Sequence, residues 1–404
     1  MVKIFIPVLL ISLGILSDLY IFHRYIGSQS VWRWIWWIPT SVILFFALYF
    51  LLFGKGVGQE YTSVNVFLLL IGLFCIPKIL FAVLSLIPKV GLWIGLAVAT
   101  CVVCMILWGI TWGFSQLKVR EVVYASPAVP KAFDGYRIVQ LSDAHTGTFR
   151  GLYHHLLQES IDTINSLAPD LICFVGDIEN FLPSELESHA EAYASLKAKD
   201  GVMSVMGNHD YSLYLRLSIR ERLAMERRTR QLQRSFGWQL LENEHRIIRR
   251  CANDDVESCT DSIIIIGEEN WGHPPFPQYG SVTKALTGLS LYNKKIRKSP
   301  TDPPVFTIML SHDPTAWREH IMPLFQPNVT LSGHTHGTQF SLFGWSPASL
   351  IYKEWGGEYY ETSEEDDLLQ HHLLSVTTGV GGNFPFRFNM PREIVLITLK
   401  HKEH

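Results

Sequence analysis

Charge and cysteine are both scarce in this 404-residue sequence. Charged residues make up 18% of the chain, the formal net charge is −3, and there are six cysteines. A net charge this close to zero gives no basic field over the whole chain, so nucleic acid is not expected as a partner. Cys251 and Cys259 bracket a polar run between two strand-like segments. Either a disulfide across the base of a hairpin, formed in an oxidising compartment, or two free surface thiols fits this arrangement.

The charged residues are also distributed unevenly. From Met1 to about Gly113 the sequence is dominated by Leu, Ile, Val, Phe and Trp, and ordinary globular composition returns from about Lys118. No A-x-A site follows the first apolar run, which disfavours a cleaved signal peptide. Four runs are long enough to cross a bilayer as helices, and they cover about 4–22, 36–53, 64–86 and 91–112. A buried helical core in a soluble protein is the disfavoured alternative, because four such runs follow one another.

The even number of spans places both termini and the large C-terminal domain on one side of the membrane. The third run contains Pro77 and Lys78, so we expect it to be kinked, or Lys78 to face a neighbouring helix or reach an interface. Lys and Arg are divided too evenly between the two flanks to assign the side of the catalytic domain.

From Tyr136 onward, short β-branched runs alternate with helix-like stretches, which predicts an α/β layer fold. Five of these runs end in polar segments, at residues 142–145, 176–177, 207–210, 311–313 and 332–336. Ligand sites in α/β sheets cluster at the carboxyl ends of strands. The five segments therefore predict one shared site.

The polar segments supply imidazole nitrogens together with carboxylate and amide oxygens. This donor set suits Zn, Fe or Mn better than Mg or Ca. A carboxylate that bridges two ions about 3.5–4 Å apart would complete a two-metal site. The glycines that precede Asp177, Asn208 and His334 allow a sharp turn or a close backbone approach at each strand end. Any one of these motifs arises by chance, so the informative feature is their order.

In sequence order the motifs are Asp-x-His, Gly-Asp, Gly-Asn-His-Asp, Ser-His and Gly-His-x-His. This series resembles the signature of the calcineurin-like metallophosphoesterase superfamily, over residues 134–400. The segments 333–339, 240–244 and 379–389 are similar to the bacterial membrane-associated branch, which is related to transmembrane proteins with a metallophosphoesterase domain. The resemblance implies an α/β fold, a four-layer α-β-β-α sandwich of two mixed sheets at 134–404. This domain would follow a transmembrane region at 1–113 and a linker at 114–133, in a multi-pass protein of the bacterial cytoplasmic membrane.

The resemblance also implies roles for individual residues around two divalent transition-metal ions, Mn, Zn or Fe. Each ion would have three ligands of its own: Asp143, His145 and His336 for the first, and Asn208, His312 and His334 for the second. Asp177 would bridge the ions. His209 would be the catalytic residue that protonates the leaving group or stabilises the charged transition state, with Asp210 orienting it. Asn180 and Thr338 depart from the usual Asp and Gly, which puts substrate fit in doubt more than metal binding.

Two further features are open to more than one interpretation. Arg387 and Asn389 follow a glycine-rich turn and would either contact a phosphate or pack the loop. The Arg-rich run 212–236 would either meet anionic lipid headgroups or an anionic substrate, or form a solvated helix face.

The sequence therefore predicts a membrane-anchored phosphoesterase that uses metal-activated hydroxide. Anchoring favours a phosphodiester or a lipid-linked phosphoester as substrate, with membrane lipids as partners. The alternatives are an anchored phosphatase or nucleotide phosphodiesterase with soluble substrates, and a non-catalytic membrane scaffold. The complete ligand set argues against a scaffold, while the oligomeric state stays open.

Overall fold

The computed structural model describes residues 2–27, 32–53, 61–250, 261–289, 305–365 and 368–403. The chain divides into two units, Met1–Phe114 and Ser115–His404, which are described separately below. Cys251 and Cys259 lie outside the described residues, so the alternatives of a disulfide and two free thiols stay as the sequence left them.

The first unit contains four apolar helices long enough to cross a membrane: Pro7–Ile26, Arg33–Phe53, Tyr61–Leu84 and Gly91–Gly113. Their α-helical parts are Val2–Ile21, Trp32–Trp36, Ile38–Phe53, Tyr61–Leu70, Ile76–Leu84 and Gly91–Trp108. π-helical turns lie at Phe22–Ile26, Ile71–Cys75 and Gly109–Gly113. The predicted series of four apolar helices is confirmed within the described residues, and the chain is a multi-pass membrane protein.

The third span accommodates Pro77 by widening the helix immediately before it. Proline lacks an N–H group and its ring collides with the carbonyl four residues earlier in a regular α-helix. The turn Ile71–Cys75 is π-helical, which is a common way of inserting such an irregularity into a helix.

Lys78 faces the neighbouring helices of the first unit. Its Nζ lies 2.6 Å from Oδ1 of Asp18, a carboxylate that is 1% exposed. The Thr40 hydroxyl donates to the other oxygen of Asp18. The first three spans are thus joined by one polar cluster, in which Asp18 was not anticipated from the sequence.

The described residues of the second unit contain twelve strands. They are β1 Leu117–Ser126, β2 Arg137–Leu141, β3 Leu171–Val175, β4 Val202–Val205, β5 Gln239–Leu240, β6 Glu244–Arg250, β7 Asp261–Gly267, β8 Phe306–Leu310, β9 Val329–Ser332, β10 Gly357–Glu365, β11 Leu368–Val376 and β12 Arg392–His401. One sheet has the order β1-β12-β2-β3-β4-β5 and the other β10-β11-β9-β8-β7-β6. Both are mixed, since β12–β2, β10–β11 and β6–β7 pair antiparallel and the other neighbours parallel.

The two sheets pack face to face, and the strand pattern shows why. Side chains alternate between the two faces of a strand. In β7, Ile263 and Ile265 pack in the core between the sheets, while Ile264 and Ile266 pack beneath the outer segments that carry Val282 and Phe325. Such a strand is covered on both faces, which explains its continuous apolar run.

Helices cover the outer faces. They are His154–Ser166, Ser184–Glu187, Ala190–Ala194, Ile219–Ser235 and Val282–Ala285. Arg392 of β12 donates to the Leu156 carbonyl in the first of these helices. Gln233 of the fourth accepts a hydrogen bond from Ser204 of β4. The predicted four-layer arrangement of two mixed sheets and flanking helices is confirmed.

The structure differs from the predicted linker at 114–133. Half of that segment is β1, which pairs in parallel with β12 from Leu117 to Ser126. Lys118, Arg120 and Glu121 obscured the alternating pattern, but Val122 and Tyr124 are buried. An edge strand tolerates such charges because it needs a hydrogen-bonding partner on one side only.

Candidate functional site

The predicted ligand residues lie at the carboxyl ends of five strands. β2, β3 and β4 of the first sheet and β8 and β9 of the second end immediately before them. All seven side chains are buried: Asp143, His145, Asp177, Asn208, His312, His334 and His336. The structure therefore brings the five predicted segments together in one place.

The backbone at this place is strained. Five of the seven residues have a positive φ between 43° and 71°: Asp143, His145, Asp177, His334 and His336. This conformation is uncommon outside glycine and costs about 1–2 kcal/mol per residue. Such strain persists where the surrounding structure imposes it, and it concentrates at functional sites.

Two glycines permit the close packing of these strand ends. A Cβ atom at Gly207 would collide with the Asp177 carboxylate. One at Gly333 would collide with Ser142 and with the Asp143 carboxylate. Both positions therefore require the close backbone approach that the sequence predicted.

One cluster of ligand atoms consists of Asp143, His145 and His336, which lie within 4.8 Å of one another. His336 Nε2 lies 3.3 Å from Asp143 Oδ1. His145 Nε2 and His336 Nε2 face each other at 3.1 Å. Two ring nitrogens that converge beside a carboxylate form a suitable partial coordination sphere for a transition-metal ion.

A second cluster consists of Asp177, His312 and His334, again with their ligand atoms within 4.8 Å. Asn208 completes it, with Oδ1 placed 2.8 Å from His334 Nδ1 and 3.2 Å from His312 Nε2. His312 Nδ1 lies 2.7 Å from the Val175 carbonyl oxygen. Because a carbonyl only accepts, Nδ1 carries the hydrogen and Nε2 is directed to the cluster.

Asp177 lies between the two clusters. Its Oδ2 is 3.2 Å from His312 Nε2 in the second cluster and 3.7 Å from His145 Nε2 in the first. One carboxylate in contact with both sets is the arrangement that a bridging ligand requires.

The electrostatics of the site fit bound cations. Burial, together with the Asp177 charge, raises the pKa of Asp143 to about 7. Burial opposes ionisation of Asp177, but His312 and His209 outweigh it and hold the pKa of this carboxyl well below its usual range. Burial and the neighbouring imidazoles hold the pKa values of His145 and His336 well below the ordinary value. Neutral imidazoles beside carboxylates have lone pairs available for a metal ion.

The structure changes the role predicted for Asp210. The prediction was that Asp210 orients His209, but the His209 Nδ1 lies 2.6 Å from the main-chain oxygen of Asn180. The buried Asp210 carboxylate instead accepts hydrogen bonds from the backbone N–H groups of Asp177, Ile178, Glu179 and Gly207. Asp210 therefore organises the loop that carries Asp177, because a carboxylate can accept several donors at once.

The two departures from the family pattern also have a structural explanation. Asn180 contacts His209 through its backbone carbonyl, so the identity of its side chain does not decide that hydrogen bond. Thr338 adopts a φ of 50°, the left-handed region that favours the glycine usual at this position. Its hydroxyl donates to the Gly337 carbonyl at 2.8 Å.

Arg387 and Asn389 differ in burial and in their contacts. Arg387 is fully buried and donates to the main-chain oxygens of Thr378, Gly379, Gly381, Met390 and Pro391. This geometry supports loop packing over the predicted phosphate contact, because its donors are used within the protein. Asn389 is exposed and has a φ of 53°.

Much of the Arg-rich helix Ile219–Ser235 is paired within the protein. Arg230 forms ion pairs with Glu226, Glu242 and Glu269. Arg228 pairs with Glu187, and Arg234 pairs with Glu242. These contacts favour a packed and solvated helix face over one reserved for anionic lipid.

Aromatic residues that the sequence did not single out surround the site. Tyr352 Oη lies 2.9 Å from His334 Nε2, and the Phe276 ring packs edge-on against His334 at 4.6 Å. Tyr214 accepts a hydrogen bond from Asn208 Nδ2 at 2.7 Å, and its ring lies 4.5 Å from that of His209. No motif spacing marks these positions, since the contacts depend on loop paths.

Comparison with known proteins identifies a family and several similar proteins. The family model described as Calcineurin-like phosphoesterase matches residues 136–338. The chain is 28% identical over 298 residues to the "Transmembrane protein with metallophosphoesterase domain" of Danio rerio, a match that covers 73% of this chain and 60% of that protein. It is 27% identical over 289 residues to the "Uncharacterized metallophosphoesterase YkuE" of Bacillus subtilis, covering 70% and 86% of the two chains.

A third relative has a named activity. The chain is 25% identical over 311 residues to the "UDP-2,3-diacylglucosamine pyrophosphatase LpxG" of Chlamydia muridarum. That match covers 70% of this chain and 88% of the relative.

Proposed function

The chain belongs to the calcineurin-like phosphoesterase family, and from this membership we propose that it is a two-metal hydrolase of a lipid-linked phosphoester. The observation that carries the two-metal part is that Asp177 Oδ2 lies 3.2 Å from His312 Nε2 in its own cluster and 3.7 Å from His145 Nε2 in the other. Each cluster is too small to fill a coordination sphere alone, and the shared carboxylate joins them.

The proposed ligands follow the two clusters. Asp143, His145 and His336 would hold one ion, and Asn208, His312 and His334 would hold the other, with Asp177 as a shared ligand. The mixture of imidazole and oxygen donors suits Mn, Zn or Fe. When bound, such ions supply an activated hydroxide and neutralise the oxygens of the phosphoryl group.

His209 is the proposed catalytic residue of the chain. Its Nδ1 is committed to the Asn180 carbonyl, so a proton for the leaving oxygen would come from Nε2. The Asp177 carboxylate also accepts the His209 backbone N–H at 2.8 Å, which ties the position of His209 to that of the shared ligand. A positioned acid of this kind lowers the barrier by protonating the alcohol as it departs.

The lipid-linked substrate is supported by two independent observations. The catalytic unit follows four membrane spans, which restricts it to the bilayer surface. A relative with similar sequence over most of its length is named for an acylated sugar nucleotide.

The test uses the purified full chain in bilayer vesicles. Its metal content is measured, and its hydrolysis of a water-soluble aryl phosphodiester is compared with hydrolysis of a phosphodiester carried on a lipid. Chelation should abolish both activities and Mn or Zn should restore them, with more than one ion per active chain. One ion or fewer in active protein overturns the two-metal proposal, and equal kcat/KM for both substrates overturns the lipid-linked one.

A further inference from the structure

The catalytic unit has an exposed apolar loop beside the site, formed by residues 342–351. Phe343 is 97% exposed, Leu350 is 76% and Ile351 is 74%, and Leu342 and Trp345 are exposed beside them. Other exposed apolar side chains of this unit, such as Leu152, Ile219 and Leu324, belong to separate segments. Scattered apolar residues are normal on a protein surface, whereas several in one short loop mark an interaction site.

The loop also lacks charged residues. Residues 340–352 contain no Asp, Glu, Lys, Arg or His, and Lys353 follows directly. Aromatic and aliphatic side chains without charge, with a Trp and a flanking Lys, are the composition of segments that enter the interface of a bilayer.

The exposure results from a fixed conformation. Leu342 and Trp345 exchange backbone hydrogen bonds of 2.8 and 3.0 Å across a tight turn. The two central residues of this turn, Phe343 and Gly344, have φ values of 51° and 81°. The Ser346 hydroxyl donates to the Gly337 carbonyl at 2.6 Å, and Ala348 is fully buried at the base. The turn thus holds a large apolar residue outward, in a backbone conformation that favours Gly or Asn.

The loop is continuous with the metal site. It begins just after the turn His336–Gln339 and ends at Tyr352, whose hydroxyl contacts His334 at 2.9 Å. The last membrane span ends at Gly113, and β1 begins at Leu117. The connection between them extends no more than about 14 Å, so β1 begins within that distance of the end of the last span.

We propose that the apolar loop 342–351 inserts into the interface of the same bilayer that holds the four spans. Phe343, Leu350 and Ile351 are buried among lipid chains and Trp345 lies among the headgroups. The contact itself does not depend on the reaction. Its consequence for catalysis, that a lipid-borne phosphoester meets the site without leaving the membrane, rests on the function proposed above.

The direct test is photochemical crosslinking in the full chain. A benzophenone analogue of phenylalanine is placed at Phe343, or at Leu324 as a matched control that is 61% exposed in another segment. Both proteins are reconstituted in vesicles of phosphatidylethanolamine and phosphatidylglycerol and irradiated. Lipid adducts at position 343 should exceed those at 324 by roughly tenfold, since burial of one large apolar side chain is worth at least that factor. Equal yields at the two positions, or adducts to a second copy of the chain, overturn the proposal.

A second measurement separates lipid contact from support of the site. The triple variant Phe343→Ser, Leu350→Ser, Ile351→Ser should keep the parent kcat on a water-soluble aryl phosphodiester and raise KM for the lipid-borne one by roughly tenfold. Equal losses on both substrates would show that the loop maintains the site, which contradicts the proposal. The crosslinking yield does not require hydrolysis, so failure of the proposed function and failure of the lipid contact give different results.

Discussion

The Nδ1 atom of His209 lies 2.6 Å from the main-chain carbonyl oxygen of Asn180. A carbonyl only accepts, so this contact fixes a hydrogen on Nδ1, and the proton transfer proposed for His209 would fall to the other ring nitrogen, Nε2. It also makes the orientation of His209 independent of the side chain at position 180. Variants at these two positions therefore test whether activity depends on the His209 ring and whether it depends on the side chain at position 180.

His209→Ala should keep both metal ions and lower kcat by roughly 10²–10⁴-fold, the usual size of a general-acid contribution. The loss should be small with a nitrophenolate leaving group and large with an alkyl alcohol, because only the latter needs a proton. Asn180→Asp is the matched control and should retain activity, since the backbone carbonyl remains. Equal losses across leaving groups with falling metal content would make His209 a ligand instead.

Asp177→Ala should reduce the occupancy of both metal positions, because Asp177 Oδ2 faces ring nitrogens of both clusters. His145→Ala should leave the second cluster partly occupied. Metal content per chain, measured by mass spectrometry on protein reconstituted with Mn or Zn, distinguishes the two. Parental metal content in the Asp177 variant would show that the bridge is another residue.

Arg387→Met should lower the unfolding temperature rather than weaken substrate binding. Burial lowers the pKa of Arg387 to about 9, and its donors hold main-chain carbonyls that would otherwise be unpaired. Each unpaired buried group costs about 1–3 kcal/mol. Asn389→Gly, at an exposed position of the same loop whose φ of 53° also suits glycine, should have a free energy of unfolding within about 0.5 kcal/mol of the parent. A raised KM with unchanged thermal unfolding of the Arg387 variant would restore the phosphate-binding role.

Asp18→Asn and Lys78→Met should each destabilise the membrane unit, because each leaves an unpaired charge among apolar helices. Breaking a buried ion pair from one side costs about 3–5 kcal/mol. The double variant should recover a large part of that loss, as coupled residues do in a double-mutant cycle. Unfolding of the full chain in detergent provides the measurement, and additive losses would argue against the pair.

Asp170 should contribute to acid sensitivity. Burial opposes its ionisation, but Lys199 and the Arg137 N–H stabilise the carboxylate and lower its pKa below the ordinary value. A lowered folded-state pKa means that the stabilisation is complete above the unfolded value of about 3.9 and is lost as the pH falls through the folded value. Asp170→Asn should therefore destabilise at pH 7 and lose less stability than the parent between pH 5 and pH 3. Asp162→Asn, on an exposed helix face, should follow the parent at both pH values.

The sequence predicted the parts of this molecule that depend on local pattern. Four apolar runs gave the four spans, and short apolar strands followed by polar motifs placed Asp177 and His334 at one site. The Asp18–Lys78 contact was out of reach because it joins helices that are distant in sequence. The orientation of His209 could not be predicted either, because it depends on a hydrogen bond to a backbone carbonyl, which a pattern of side chains does not indicate. β1 was not predicted because Lys118 and Glu121 interrupt its alternation of apolar and polar residues.

The pairing of β1 with β12 also sets the order of assembly. β1 is synthesised directly after the last of the four apolar helices, but β12, its hydrogen-bonding neighbour, follows the other eleven strands of the described residues. β12 lies between β1 and β2, so until β12 is made β1, which carries Val122 and Tyr124, has no hydrogen-bonding neighbour in the sheet. Pairing between strands that are distant in sequence forms slowly, and an unpaired strand leaves a sheet edge exposed until then. The sheet of the catalytic unit is therefore complete only after β12 has been made, when all four apolar helices have already been synthesised.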